Sequence, residues 1–536
     1  MTGTQPILEV RDLSVTLPGG LDRRYAVENV SLTLAPREIV CVVGESGSGK
    51  SVTASVIMGL LPKGALRVAS GSVQLEGEDI TNVPNARMNA LRGNRMAMIF
   101  QEPLTALNPV MRLGQQIAEV LMLHRSGQSK SAIRKRVLEL MADVHLPSPE
   151  DMFDRYPHQI SGGQRQRVMI AMALAMEPAL IIADEPTTAL DVTTQAQILH
   201  LFRELLTKHN SAVLMVTHDF GVVADVADRV VVMRQGQLVE SGPARDVLKN
   251  PQHPYTRELI AAVPQLRYLP PVSRTAEPVL TVENVSLTYR DSAWLRATKE
   301  VKAVQDVSFE LAPGETLGIV GESGSGKSTL ARLVVGFEKA DAGRMMFQGR
   351  DVLALGAREM ARTRHRIQMI FQDPYSSLNP RRRIGQSMIE GPVRFGKSEA
   401  EAKRQACELL ELVGLKASAI DRFPHEFSGG QRQRVCIARA LALEPAIIVA
   451  DEAVSALDVT VQAQVLELFA RLRAELGFAM LFITHDLRVA SNICNRIAVM
   501  SQGRIVEQGE LRQVFENPSH DYTRRLLAAM PGLSGI

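Results

Sequence analysis

The sequence predicts an α/β fold carried twice in tandem, and three observations predict it. The octapeptide Gly44-Glu-Ser-Gly-Ser-Gly-Lys-Ser51 returns unchanged as Gly321–Ser328. In each half, short apolar runs without alternation read as parallel strands covered on both faces, with helical patterns between them. Four further motifs recur in the same order: Phe100-Gln101 as Phe371-Gln372, Ser161–Val168 as Ser428–Val435, Asp184-Glu185 as Asp451-Glu452, and His218-Asp219 as His485-Asp486. The offset is 277 residues at Lys50 and settles at 267 from Ser161 onward, so only the earlier loops differ in length. Five motifs in one order mark a duplicated unit of about 250 residues, large enough to hold its own core.

The elements follow in order. The buried strands of the first half are Ile39–Val43, Leu180–Ala183 and Val213–Val216; those of the second are Thr316–Val320, Ile447–Ala450 and Met480–Ile483. A helical pattern over Val52–Leu60 follows the first octapeptide. Amphipathic helices over Ala132–Val144 and Glu399–Val413 lie between the glutamine and Ser-Gly-Gly-Gln motifs and suit a small helical subdomain. The halves close on related tails, Asn250–Pro264 and Asn517–Pro531. The expected domains are residues 7–264 and 279–531, joined by a Pro-rich, semi-rigid linker over 265–278.

Composition narrows the class. The 536 residues would suggest three or four units at about 150 residues per domain, and the repeat reduces this to two. With 45% hydrophobic and 22% charged residues, disorder and a disulfide scaffold are excluded. A net charge of +3 argues against a nucleic-acid partner. Cys41, Cys407, Cys436 and Cys494 are scattered, without metal-ligand spacing, and read as reduced, mostly buried thiols. No run of about 18 apolar residues is present, so any transmembrane path is expected in other chains.

The chemistry starts at the octapeptide, which fits G-x-x-x-x-G-K-[ST] between a strand and a helix, the context of a phosphate-binding loop. Gly44, Gly47 and Gly49 let the backbone curl so that the N–H groups of Glu45, Ser46 and Ser48 and the helix start face phosphates. Lys50 reaches the β- and γ-phosphates of a bound nucleotide and Ser51 offers its hydroxyl to Mg²⁺. Gly321, Glu322, Ser323, Gly324, Ser325, Gly326, Lys327 and Ser328 repeat the set. Two acids at a strand end repel each other without a cation, so Asp184 and Asp451 are expected to hold the metal, and Glu185 and Glu452 to polarise a water. His218 and His485, each ending a strand, suit either a hydrogen-bonded structural role or contact with a terminal phosphate. Ser161-Gly162-Gly163-Gln164 and Ser428-Gly429-Gly430-Gln431 each begin a helix and read equally as a plain N-cap or an anion site.

In this order the motifs resemble the ATPase domains of ABC transporters, over nearly the whole chain and twice. The resemblance implies two ABC-type P-loop NTPase domains, each with a RecA-like α/β core, an antiparallel β subdomain and a helical subdomain. It implies head-to-tail pairing, in which Ser428–Gln431 complete the site of Lys50, Gln101, Asp184, Glu185 and His218. Ser161–Gln164 would complete that of Lys327, Gln372, Asp451, Glu452 and His485. It adds Gln101 and Gln372 as metal ligands, Ala189-Leu-Asp191 and Ala456-Leu-Asp458 as loops between the sites, and Tyr25 as the residue stacking on adenine. The second half has Lys302 at that position, with Tyr289 or Trp294 as alternatives.

The loops Gln101–Pro109 and Gln372–Pro380 and the tails with His253-Pro-Tyr-Thr and His520-Asp-Tyr-Thr resemble the oligopeptide, dipeptide and nickel importer branch. Two fused domains and no cysteine-rich tail look most like the Yej-type (microcin C and oligopeptide) importer ATPases. This resemblance implies two integral-membrane permease subunits, an extracytoplasmic solute-binding protein, a peripheral place on the cytoplasmic face of the inner membrane, and no iron–sulfur cluster. Alternatives are an importer ATPase for nickel, glutathione or sugar, or a duplicated ATPase acting on ribosomes.

Overall fold

The computed structural model describes residues 5–18, 23–62, 64–125, 127–187, 190–272, 274, 276–290, 300–455 and 457–530. Contacts divide the chain into two units, one formed mainly by residues before 264 and one mainly by 264–529.

In the first unit, β1 (Leu8–Thr16), β2 (Tyr25–Leu34), β4 (Arg67–Leu75) and β5 (Glu78–Asp79) form an antiparallel sheet in the order β2-β1-β4-β5. The second sheet has the order β10-β9-β3-β8-β7-β6, from β3 (Ile39–Val43), β6 (Met96–Ile99), β7 (Leu180–Asp184), β8 (Ala212–Val216), β9 (Arg229–Arg234) and β10 (Gln237–Pro243). Strands β3 and β6–β9 pair in parallel, and β10 returns antiparallel along β9. Every residue of β3 and β8 is buried, which is why these segments read as unbroken apolar runs. One face packs with the antiparallel sheet, where Leu8, Val27 and Leu34 meet Val40 and Val42. The other packs under helices, including Leu113–His124 and Lys130–Asp143 of the helical subdomain.

The second unit repeats this plan. Strands β11 (Leu280–Arg290), β12 (Glu300–Leu311), β14 (Ala342–Phe347) and β15 (Arg350–Asp351) form the antiparallel sheet. Strands β13 (Thr316–Val320), β16 (Ile367–Ile370), β17 (Ile447–Asp451), β18 (Ala479–Thr484), β19 (Arg496–Ser501) and β20 (Arg504–Glu510) form the other, in the order β16-β17-β18-β13-β19-β20. The helix after the first octapeptide spans Lys50–Ile57, two residues earlier than the apolar pattern Val52–Leu60 indicates, because its first turn is polar.

The Pro-rich stretch, read from sequence as a linker, packs on the second unit as a strap. Asn492 Nδ2 donates to the Gln265 carbonyl at 2.8 Å, and Asn495 Nδ2 to the Pro270 carbonyl at 2.9 Å. The Arg267 N–H donates to Ser491 Oγ at 3.4 Å, and the Tyr268 ring meets Phe515 edge-on. The first half has Ala224, Asp225 and Asp228 where the second has Ser491, Asn492 and Asn495. An aspartate accepts but cannot donate to a carbonyl, so the binding surface exists on one copy only. Among the described residues no helix is long and apolar enough to cross a membrane.

Candidate ATP-binding sites

Each octapeptide curls between the central strand of its parallel sheet, β3 or β13, and the following helix. Gly49 and Gly326 take φ of 104° at the helix start. A Cβ there would come within 2.7 Å of the Ala26 carbonyl oxygen, or 2.2 Å of that of Ala303, so only glycine fits this turn. Lys50 and Lys327 are buried under their loops. Lys50 Nζ donates to the carbonyls of Gly44 and Glu45 at 2.7 and 2.9 Å, and Lys327 Nζ to those of Gly321 and Glu322 at 2.8 and 2.7 Å. Burial holds the Lys327 ammonium below its ordinary pKa, against the opposing pull of Glu452.

The ends of β7 and β17 bring the acids to these loops. Ser51 Oγ donates to Asp184 Oδ1 at 3.1 Å, and Ser328 Oγ to Asp451 Oδ1 at 3.1 Å. Desolvation raises both aspartate pKa values, the neighbouring glutamates raise them further, and the serine bonds oppose the rise. A carboxylate so placed favours a cation. Among the described residues no three His, Cys, Asp or Glu side chains gather into a metal cage. Ser51 with Asp184, and Ser328 with Asp451, bring a hydroxyl and a carboxylate oxygen together, a donor pair that suits a hard cation such as Mg²⁺.

The next residues, Glu185 and Glu452, sit at φ of 47° and 48°, a left-handed conformation unusual for glutamate and held by N–H bonds to the Val216 and Ile483 carbonyls at 2.8 and 2.9 Å. Gln101 Nε2 donates to Glu185 Oε2 at 2.7 Å, and Gln372 Nε2 to Glu452 Oε2 at 2.8 Å. His218 Nδ1 lies 3.2 Å from Glu185 Oε1, and His485 Nδ1 3.4 Å from Glu452 Oε1. Burial opposes the imidazolium form, but the glutamate's hydrogen bond and charge outweigh it, so both histidine pKa values are raised. The following Asp219 and Asp486 cap the next helices through the N–H groups of Gly221 and Arg488, which fixes the backbone beside each histidine.

The structure thus joins Lys50, Ser51, Gln101, Asp184, Glu185 and His218 in one unit, and Lys327, Ser328, Gln372, Asp451, Glu452 and His485 in the other. Ser161 and Gln164 instead bond to each other as a capping box, with Ser161 Oγ accepting from the Gln164 N–H at 3.3 Å and Gln164 Oε1 from the Ser161 N–H at 3.0 Å. Ser428 and Gln431 repeat it. A Cβ on Gly163 would meet Thr194 Cγ2 at 2.4 Å, and one on Gly430 would meet Val461 Cγ1 at 2.3 Å; Gly162 and Gly429 face open space. The second glycine therefore serves helix packing and the first leaves backbone exposed. Of the loops Ala189–Asp191 and Ala456–Asp458, Ala189 and Ala456 lie outside the described residues.

Tyr25 begins β2 opposite Thr16, with the Arg24 guanidinium 5.2 Å from its ring centre. Lys302 holds the same register opposite Thr288. Tyr289 pairs with Val301, so strand alternation puts it on the other face of the ladder from Lys302. Trp294 lies outside the described residues.

One pair escaped the sequence reading. Tyr255, in the helix Pro254–Ala261 of the first tail, accepts through its hydroxyl from the Glu45 N–H at 3.1 Å. Tyr522 does the same for Glu322 at 3.0 Å. The signal was present, since both tails carry the tyrosine, but it gave no indication that the tail folds back 210 residues onto the phosphate loop.

Comparison with known proteins accords with this geometry. The family model described as "ABC transporter" matches residues 27–188 and 304–455. The model "Oligopeptide/dipeptide transporter, C-terminal region" matches 239–278 and 506–535, which contain the two tail tyrosines. The chain is 47% identical over 565 residues to the glutathione import ATP-binding protein GsiA of Salmonella paratyphi A, covering 98% of this chain and 90% of that one. It is 47% identical over 564 residues to the protein of the same name from Escherichia coli K12, covering 98% and 89%. A solved ATP-binding cassette dimer in a post-hydrolysis state with ADP and phosphate is 28% identical, covering 44% of this chain and 99% of that one at a TM-score of 0.40. The chain belongs to the ABC transporter family, as a tandem ATP-binding and ATP-hydrolysing protein of its oligopeptide/dipeptide importer branch.

Proposed function

We propose that the two units act as a head-to-tail pair that drives two integral-membrane permease subunits at the inner membrane, supplied by an extracytoplasmic binding protein. The observation that carries this reading is the matched glutamate–histidine–glutamine set in both units, with neither copy degraded. Lys50 and Lys327 turn from their loop carbonyls to the β- and γ-phosphates of ATP, supported by the loop N–H groups from Gly44 to Ser51 and from Gly321 to Ser328. Ser51, Asp184 and Gln101, and Ser328, Asp451 and Gln372, hold Mg²⁺, which neutralises phosphate charge.

Glu185 and Glu452 accept a proton from the attacking water, and His218 and His485 orient the terminal phosphate and that water. Ser161–Gln164 and Ser428–Gln431 cover the phosphates from the opposite unit, and Tyr25 stacks on adenine in the first site. Closing on ATP and reopening after hydrolysis bias the membrane partners between two access states. The cargo is a peptide-like solute; glutathione, named for the relatives, is the first to test.

Glu185→Gln with Glu452→Gln should lower ATPase turnover by roughly 10²–10⁴ while leaving ATP binding intact. Full activity in the double variant would overturn the assignment. Purification from native membranes should recover two permease chains, and recovery with ribosomes would refute the transport reading.

A further inference from the structure

The second unit holds a cavity of about 710 Å³ that the ATP chemistry does not use. Its lining residues Pro313, Arg366, Ala446 and Phe478 immediately precede strands β13, β16, β17 and β18 or lie a few residues before them, so it opens at the edge of the sheet opposite the phosphate loop. Leu409, Leu412, Leu441 and Phe478 supply an apolar wall. The volume lies within the ordinary range for small-molecule sites.

Comparison with the first unit shows what has changed there. In the first unit Lys208 pairs with Asp143 at 2.7 Å, and Arg37 Nε donates to Asn210 Oδ1 at 2.6 Å. The corresponding positions in the second half are Glu475, Leu412, Gly314 and Gly477, and Phe478 stands in place of Ser211. Polar bridging has given way to hydrocarbon and open space.

The charge change is more specific. Arg95 in the first unit grips the Glu76 carboxylate through two guanidinium nitrogens, Nε to Oε2 at 2.8 Å and Nη2 to Oε1. Arg366 holds the same place, its carbonyl accepting from Ile447 as that of Arg95 accepts from Leu180. Glu76, however, is replaced by Gln348. That residue keeps the left-handed backbone, with φ of 47° against 50°, and its N–H still bonds back to the first strand region, at Val279. Arg366 donates from Nη1 to the Glu444 carbonyl at 3.0 Å and feels the Glu444 carboxylate through space, but among the described residues no carboxylate oxygen lies within ion-pair distance of it. Glu444 is held by Lys397 at 2.6 Å, and the lining residue Glu408 is exposed. A planar cationic fork that has lost its own carboxylate lines an apolar cavity.

We propose that this cavity binds a small amphipathic monocarboxylate. Its carboxylate takes the place at Arg366 that Glu76 fills within the first unit, and its hydrocarbon body lies against Leu409, Leu412, Leu441 and Phe478. Glu408 disfavours a second negative charge. The proposal rests on the Glu76-to-Gln348 difference between the two halves and not on the transport reading.

The test uses the full chain, decanoate as probe and decanol as the uncharged control, followed by calorimetry. Decanoate should bind at least about tenfold more tightly than decanol, reflecting a bidentate charged contact. Gln348→Glu, which copies the first unit's own pair and so preserves the fold, should weaken decanoate by about tenfold or more and leave decanol unchanged. Leu412→Asp should weaken both. Equal affinity for the two probes, no binding of either, or unchanged decanoate affinity in Gln348→Glu with an unaltered melting profile would each overturn the proposal.

Discussion

Tyr255 reaches from the end of the first unit to accept a hydrogen bond from Glu45, the second residue of the phosphate loop. Tyr522 repeats the contact at Glu322, and desolvation pushes its phenol pKa up to about 12, so it remains a neutral hydroxyl. Replacing either tyrosine by phenylalanine keeps the ring but removes the acceptor. Each change should weaken ATP binding by a few-fold to about tenfold, the size of one lost hydrogen bond to a semi-buried group. Nucleotide titration of each single variant checks this, and unchanged affinity in both would show that the tail does not support the loop.

The buried His485–Glu452 pair predicts a pH window. The folded histidine pKa is raised, so its contribution is complete below the ordinary imidazole value of about 6.5 and is lost as pH climbs through the raised value. The folded pKa of Glu452 is lowered: desolvation opposes the charged form, but His485 outweighs it. Its contribution is complete above about 4.3 and is lost as pH falls through the depressed value. His485→Asn should therefore lower the melting temperature most between about pH 4.3 and 6.5, with a shrinking gap at alkaline pH. Melting curves across that range test this, and a gap that is flat with pH would contradict it.

Thiol reactivity should separate the four cysteines. Cys41 is fully buried in β3 and its pKa is pushed up to about 12 by desolvation. Burial also raises those of Cys436 and Cys494. Cys407 is the partly exposed one. A thiolate-directed reagent at neutral pH should label Cys407 in the native protein and the other three only on unfolding. Peptide mapping reads the outcome directly, and rapid native labelling of Cys494 would be the adverse result.

Asn495→Asp removes the donor to the Pro270 carbonyl while keeping the acceptor for the Thr316 N–H and Arg473 Nη1. The unit should retain its fold with a loss of about 1 kcal/mol, while the strap loosens. Trypsin should then cut faster at Arg267 and Arg274, and a digestion rate equal to that of the unaltered chain would show that this bond does not hold the strap.

What was legible follows from where the information sits. Runs such as Ile39–Val43 and Thr316–Val320 announce themselves because both faces are buried, and the octapeptide carries its own glycine geometry. The helix beginning at Lys50 was misplaced by two residues because a polar first turn has no apolar period. Gly163 and Gly430 read only as parts of a helix-start motif, whereas their packing against Thr194 and Val461 depends on helices about thirty residues further on. The strap rests on an Asp228-to-Asn495 difference whose meaning appears only when Pro270 arrives from 225 residues away.

That strap also fixes where the chain can be divided. Sequence symmetry invites a cut at Val279, where the second strand pattern begins. A half starting there would lack the segment whose Gln265 and Pro270 carbonyls accept from Asn492 and Asn495 and whose Tyr268 ring meets Phe515. A cut between Val263 and Pro264 instead keeps the strap with the surface it covers. Gene dissection and coexpression of this protein should respect that seam, which the duplication itself does not mark.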